Sequence, residues 1–179
     1  MNTTLPESLT RYPLAEAARM ADIIVGRLGV YCQKIKVAGS IRRGRPMVGD
    51  IDLVLLPKPH SEFALRTRIK SRSEVVTDGA QNLIVKLSNG VQLDCFFARH
   101  PEENLLGEIE PGNWGTLLVC RTGSKEHNIH LAQHALRNGM RWDPYRGVIK
   151  DGQVIAWESE RHVFDALGLD FLPPEKRER

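Results

Sequence analysis

The sequence predicts an α+β chain: a mixed sheet covered by helices, followed by a second, smaller α/β unit. Short apolar, β-branched runs at residues 34–39, 49–57, Ser73–Asp78 and 82–98 read as strands. Helical periodicities separate several of them, and one clear hairpin joins the last pair, so parallel and antiparallel neighbours should coexist in one sheet. Residues 101–111 are acidic and loop-rich. The boundary is placed inside that stretch near Asn104, giving units 1–104 and 105–179.

The elements follow in order. The chain is polar and loose to Tyr12, and Pro13 is a good first helical residue. Leu14, Ala17, Ala21, Ile24 and Leu28 then recur at helical spacing, predicting an amphipathic helix over about 13–29 whose role is packing. The run KIKVAG is a strand that turns at Gly39 and Ser40 into a short helix. VGDIDLVLLP is a buried strand ended by Pro57 and Pro59. Residues 61–70 read as an exposed helix over the sheet, with Glu62, Arg66, Arg68, Lys70 and Arg72 as a solvated charged face. Asn89 and Gly90 fit a two-residue type I′ turn, which sets Val85 opposite Asp94.

In the second unit, residues 114–120 form a short apolar helix or strand, stopped by Thr122, Gly123 and Ser124. Ser124 caps a helix from Lys125 to Arg137, closed by Gly139 in the C′ position. A second hairpin turns at Asp151 and Gly152. Ser159 caps a last helix over 160–167, with Gly168 after it and Pro173 and Pro174 finishing the fold. Trp142, Trp157 and Phe164 are its core rather than stacking platforms.

Composition narrows the function classes. The 179 residues carry a formal charge of +3 and a pI of about 8.9, which admits a nucleic-acid partner without requiring one. Cys32, Cys95 and Cys120 have no zinc spacing and are odd in number, which points to a reducing, cytoplasmic setting. No run approaches 18 apolar residues and no signal core opens the chain, so no membrane partner is expected.

The stretch GSIRRGRPMVGDIDLVLLP concentrates the chemistry. Asp50 and Asp52, two apart on a strand, point the same way, where two unpartnered carboxylates would raise each other's pKa and cost stability. A divalent cation removes that cost, and hard oxygen ligands suit Mg²⁺, which takes remaining ligands from substrate phosphates. Just upstream, backbone N–H groups at the Gly39–Ser40 turn can bind an anion beside Arg42, Arg43 and Arg45. The plainer reading of the two acids alone is a strand end near a solvated basic turn. Asp94, a lone carboxylate in the apolar strand VQLDCFFA, argues against it, because three acids on one face could hold two metals roughly 4 Å apart. His127, His130 and His134 share a helix face and offer a rival zinc reading, with no evident fourth ligand. His60, His100 and His162 read as surface residues.

Taken together, GSIRRG, GDIDLV, LSNGVQLDCFF, RTGSKEHN and VFDALGLDFLPPEKRE, in this order and spacing, resemble the catalytic part of family X DNA polymerases, closest to bacterial and archaeal members. The resemblance runs from about Arg11 onward. It implies a nucleotidyltransferase palm over 1–104 and a thumb over 105–179. It also implies addition of nucleotides from nucleoside triphosphates to a primer 3′-hydroxyl, in repair or gap filling. Asp50, Asp52 and Asp94 would be catalytic and hold two Mg²⁺, with Mn²⁺ as a substitute; Gly39, Ser40, Arg43 and Gly49 would bind the triphosphate. Thr122, Gly123, Ser124 and Asn128 would floor the nucleotide pocket.

The partners implied are primer–template or gapped DNA and a nucleoside triphosphate, with the chain a monomer. The sequence departs from the family pattern where Cys120 and Arg121 replace an aromatic pair that helps select the sugar, and where Ala132 replaces an arginine. No helix-hairpin-helix, lyase or histidine-rich phosphoesterase domain is expected, hence no lyase activity. The rival functions are a template-independent or small-molecule nucleotidyltransferase and a catalytically silent DNA-binding module.

Overall fold

The computed structural model describes residues 10–178, so the reading of residues 1–9 as loose lies outside them. The first unit comprises β1 (Tyr12–Pro13), α1 (Leu14–Leu28), β2 (Cys32–Val37), α2 (Gly39–Arg42), β3 (Met47–Val48), β4 (Asp50–Pro57) and α3 (Glu62–Lys70). It continues with β5 (Ser73–Asp78), β6 (Asn82–Leu87) and β7 (Gln92–Phe97). After these come β8 (Glu102–Glu103), β9 (Ile109–Glu110), α4 (Trp114–Thr122) and α5 (Lys125–Arg137). β10 (Met140–Asp143), β11 (Gly147–Lys150), β12 (Gln153–Ala156) and α6 (Glu160–Ala166) complete the chain.

The principal sheet has the order β2-β4-β7-β6-β5, with β4 and β7 parallel and every other pair antiparallel. This is the mixed sheet the sequence predicts. β4 sits inside the sheet with helices over both faces, which is why its run from Leu53 to Pro57 is apolar without alternation. One face packs Ile51, Leu53, Leu55, Leu93, Cys95 and Phe97 against α1 and α3. On the other face Val54, Leu56 and Phe96 meet Leu117 and Leu118 of α4, leaving Asp50, Asp52 and Asp94 uncovered by that cluster at the end where β4 begins. A separate core around Leu131, Trp142, Val148, Val163 and Phe164 fills the second unit.

Three local readings change. The β6–β7 turn is not type I′: Ile84, rather than Val85, stands opposite Asp94, and Val85 pairs with Leu93. A type I′ turn needs positive φ at both central residues, but among Asn89 and Gly90 only Gly90 (φ 85°) has it. The Gly90 N–H bonds to the Leu87 carbonyl and the Leu87 N–H to the Val91 carbonyl, giving a three-residue loop. The one-residue slip sends Val85 into the core.

The helix α3 is less exposed than its charges suggest, since Leu65 and Ile69 are buried. Arg66 stacks 4.0 Å from the Phe97 ring centroid and bonds to Glu62, Asp78 and two backbone carbonyls. The 114–120 stretch is helical. Gly115 lets α4 approach the loop before α6, where any Cβ would lie 2.3 Å from the Ser159 carbonyl carbon. The Asp151–Gly152 turn, with φ of 49° and 81°, fits the type I′ expected.

Besides the apolar packing of α4 on the sheet, a buried ion cluster ties α6 to α2. Glu160, at the start of α6, takes a forked pair from Arg42 at 2.9 and 2.5 Å and a third bond from the fully buried Arg177 at 2.8 Å. Burial alone would push the Glu160 carboxyl up, but hydrogen bonds and charge from Arg42 and Arg177 hold it below its ordinary range. Its contribution is therefore present at neutral pH and lost as pH falls below about 4.5, the ordinary value. Replacing Glu160 by Ala strands two guanidinium groups and should cost about 3–5 kcal/mol. Denaturant unfolding of wild type and Glu160→Ala should show this gap at pH 7 and a narrower one in acid.

Candidate active site

The sheet register brings the three acids together. Asp52 and Asp94 are Cα partners across the parallel β4–β7 pair, and Asp50 lies two residues earlier on the same face. One oxygen from each lies within 4.8 Å of the others. Asp94 is 9% exposed, and its Oδ1 accepts a 2.9 Å bond from Gln92 Nε2. Burial, then the charges of Asp50 and Asp94, push the Asp52 carboxyl up to about 7 despite Arg121 and Arg43 nearby. Asp94 is also raised, first by burial. A hard donor set of three carboxylates in mutual repulsion fits a divalent cation. Among the described residues the histidine trio does not converge: His127 is buried and stacks on Phe164, and His134 Nε2 meets the Leu167 carbonyl.

Gly39 opens the turn into α2 at φ 55°, a conformation that favours glycine. Its backbone runs so close to Asp52 that a Cβ there would sit 1.8 Å from Oδ2. The Gly39–Ser40 turn and the carboxylates thus lie against one another. A cleft of about 570 Å³ lies alongside, lined by Gly39, Ser40, Arg43, Asp50, Asp52, Arg121, Gly123 and Asn128 among others. Among the described residues Ser40 Oγ and Asn128 Oδ1 are buried without a protein partner, and Asn128 Nδ2 bonds to the Cys120 carbonyl at 2.7 Å.

The remaining predicted residues lie beside the cleft rather than lining it. Gly49 precedes Asp50 at the mouth of β4. Thr122 is fully buried, its hydroxyl accepting from Arg42 and its carbonyl from Arg43. Ser124 Oγ caps α5 by accepting from the His127 N–H, and the Gly123–Ser124 peptide is cis. The three arginines of the turn divide their work. Arg42 belongs to the buried cluster with Glu160, whereas Arg43 reaches the cleft with its Nε held by Glu178 at 2.5 Å.

Arg121 is the residue that sequence reasoning missed as a site group. Its guanidinium lies 3.8 Å from the Phe96 ring centroid and donates to the Tyr145 hydroxyl, and its charge acts on both Asp52 and Asp94. The signal was an arginine immediately before TGS together with an aromatic residue two positions after Asp94 on the same strand face.

For Asp52 the folded value of about 7 lies above the ordinary 3.8, so its penalty on the metal-free fold grows as pH rises from about 4 to 7 and is constant above. Asp52→Asn should therefore stabilise metal-free protein by roughly 2 kcal/mol or more at pH 8 and much less at pH 4. Urea midpoints of the two proteins at both pH values measure the difference, which Mg²⁺ should narrow at pH 8.

Comparison with known proteins adds two findings. A family model described as DNA polymerase beta thumb matches residues 117–178. The DNA polymerase/3′-5′ exonuclease PolX of Bacillus subtilis (strain 168) is 31% identical over 173 residues, covering 94% of this chain and 29% of that protein. The chain thus spans less than a third of the length of this relative.

Proposed function

The chain belongs to the family X DNA polymerases, and on that footing we propose that it adds nucleotides to a primer 3′-hydroxyl on gapped or primed DNA, in repair synthesis. Residues 1–104 act as the palm and 105–179 as the thumb. One observation carries the reading: three acids converge against the Gly39–Ser40 turn, so a phosphate held there would lie beside the carboxylates.

Asp50, Asp52 and Asp94 would hold divalent ions, Mg²⁺ with Mn²⁺ as a substitute. When bound, the ions supply positive charge that neutralises the triphosphate and favours the ionised primer hydroxyl. The chain's own groups do the rest. With Oδ1 engaged by Gln92, the Oδ2 of Asp94 is the oxygen that accepts the hydroxyl proton. Gly39, Ser40, Arg43 and Gly49 bind the β- and γ-phosphates; that Ser40 Oγ has no protein partner among the described residues supports this role. Asn128 Oδ1, equally free, faces the incoming base, while Thr122, Gly123 and Ser124 shape the floor under it.

Primer extension on a gapped duplex should fall at least ~10²-fold in Asp94→Ala, with the fold intact by circular dichroism. Equal rates in the two proteins would remove Asp94 from catalysis, and labelling of a lone single strand in preference to the gap would favour a template-independent transferase. With Cys120 and Arg121 in place of an aromatic pair, ribonucleotide insertion should approach deoxyribonucleotide insertion to within about 10²-fold, a loss of roughly 3 kcal/mol or less. Single-nucleotide kinetics with matched ribo- and deoxyribonucleoside triphosphates read that ratio directly.

A further inference from the structure

Between the two units the chain projects a finger. β8 and β9 pair with Glu102 opposite Glu110 and Glu103 opposite Ile109. Asn104 pins the tip: its Oδ1 accepts from the Leu106 and Glu108 N–H groups at 2.9 and 3.0 Å, and its Nδ2 donates to Glu108. The ordered tip presents Leu105 and Leu106 to solvent at 106% and 83% exposure. Around them stand Glu102, Glu103, Glu108 and Glu110, none ion-paired among the described residues. Like charges directly opposite weaken a two-stranded ribbon, and paired leucines at a pinned tip bury nothing. Both costs are relieved by an apolar socket rimmed with cations.

Such a socket exists on the same chain. A groove of about 540 Å³ opens between α1, the end of α3 and the β6–β7 turn. Ile24, Ile69 and Leu93 contribute apolar walls, and exposed Arg27, Arg68 and Arg72 stand along it. None of these arginines is ion-paired among the described residues.

We propose that copies of this chain associate head to tail, Leu105 and Leu106 of one entering the groove of the next while the finger glutamates meet the groove arginines. The inference does not draw on the catalytic reading. The groove lies on the sheet face covered by α1 and α3, opposite Asp50, Asp52 and Asp94, so docking leaves the acids open. Each contact is heterologous and leaves one finger and one groove unused, so assembly extends into short chains or closes into a ring. So small a contact is weak, with a dissociation constant of roughly 10–100 µM, and charge pairing makes it weaken with salt.

Sedimentation velocity tests it. Wild-type protein taken from about 5 to about 500 µM should gain mass with concentration and lose it on adding salt. A finger variant, Leu105→Ser with Leu106→Ser, and a groove variant, Arg68→Glu with Arg72→Glu, should each stay monomeric. Mixed in equal amounts, they should form a dimer and stop there, because one supplies the only working groove and the other the only working finger. A wild type that remains monomeric throughout, oligomers that survive in either variant, or a mixture that stays monomeric would each overturn the proposal.

Discussion

The repulsion among three carboxylates on one face of a sheet is the constraint around which this chain is built. A parallel β4–β7 pairing sets Asp52 beside Asp94, and the pleat brings Asp50 to the same side. Burial then raises Asp52 far above an ordinary aspartate. No hydrophobic or helical requirement explains paying for this arrangement at the edge of a cleft, and a divalent cation does. The strand is apolar from Leu53 onward because both faces of the sheet are covered there.

The C-terminal half is tied to that site by charge as well as by the packing of α4 on the sheet. α2 is a single turn of helix, yet Arg42 and Arg43 reach from it in different directions, one to Glu160 and Thr122, the other to Glu178 and the Thr122 carbonyl. The turn that approaches Asp52 is therefore the same turn that grips the second unit. Movement of the thumb relative to the palm, on the proposed reading, would be felt first at the anion-binding backbone. Buried ion pairs of this kind contribute little net stability compared with apolar packing, but they make the wrong docking costly.

Much of this was legible in the residues. Strands, caps and glycine stops are local matters: Ser124 and Ser159 cap helices through hydroxyl groups that need only the N–H three positions on, and Gly139 follows α5 at φ 68°. The alternation that puts Asp50 and Asp52 on one side is equally local. The β6–β7 turn was not, because Asn-Gly satisfies both a two-residue and a three-residue loop, and the choice is made by which register buries Val85. The charged face of α3 misled for a related reason. Arg66 is long enough to lay its stem and guanidinium over Phe97, so its charge says nothing about its burial.

What the sequence determined by itself was the inventory and its local geometry: which segments are strands or helices, and which carboxylates share a strand face. Those follow from backbone preferences and side-chain alternation over a few residues. Tertiary structure alone decided that Asp94 meets Asp52, that Arg43 enters the cleft while Arg42 leaves it for Glu160, and that Arg121 stacks on Phe96 beside the acids. Each of these joins residues tens of positions apart. The outcome depends on which partner removes the most apolar surface and leaves the fewest charges unpaired, a comparison that no short stretch of chain contains.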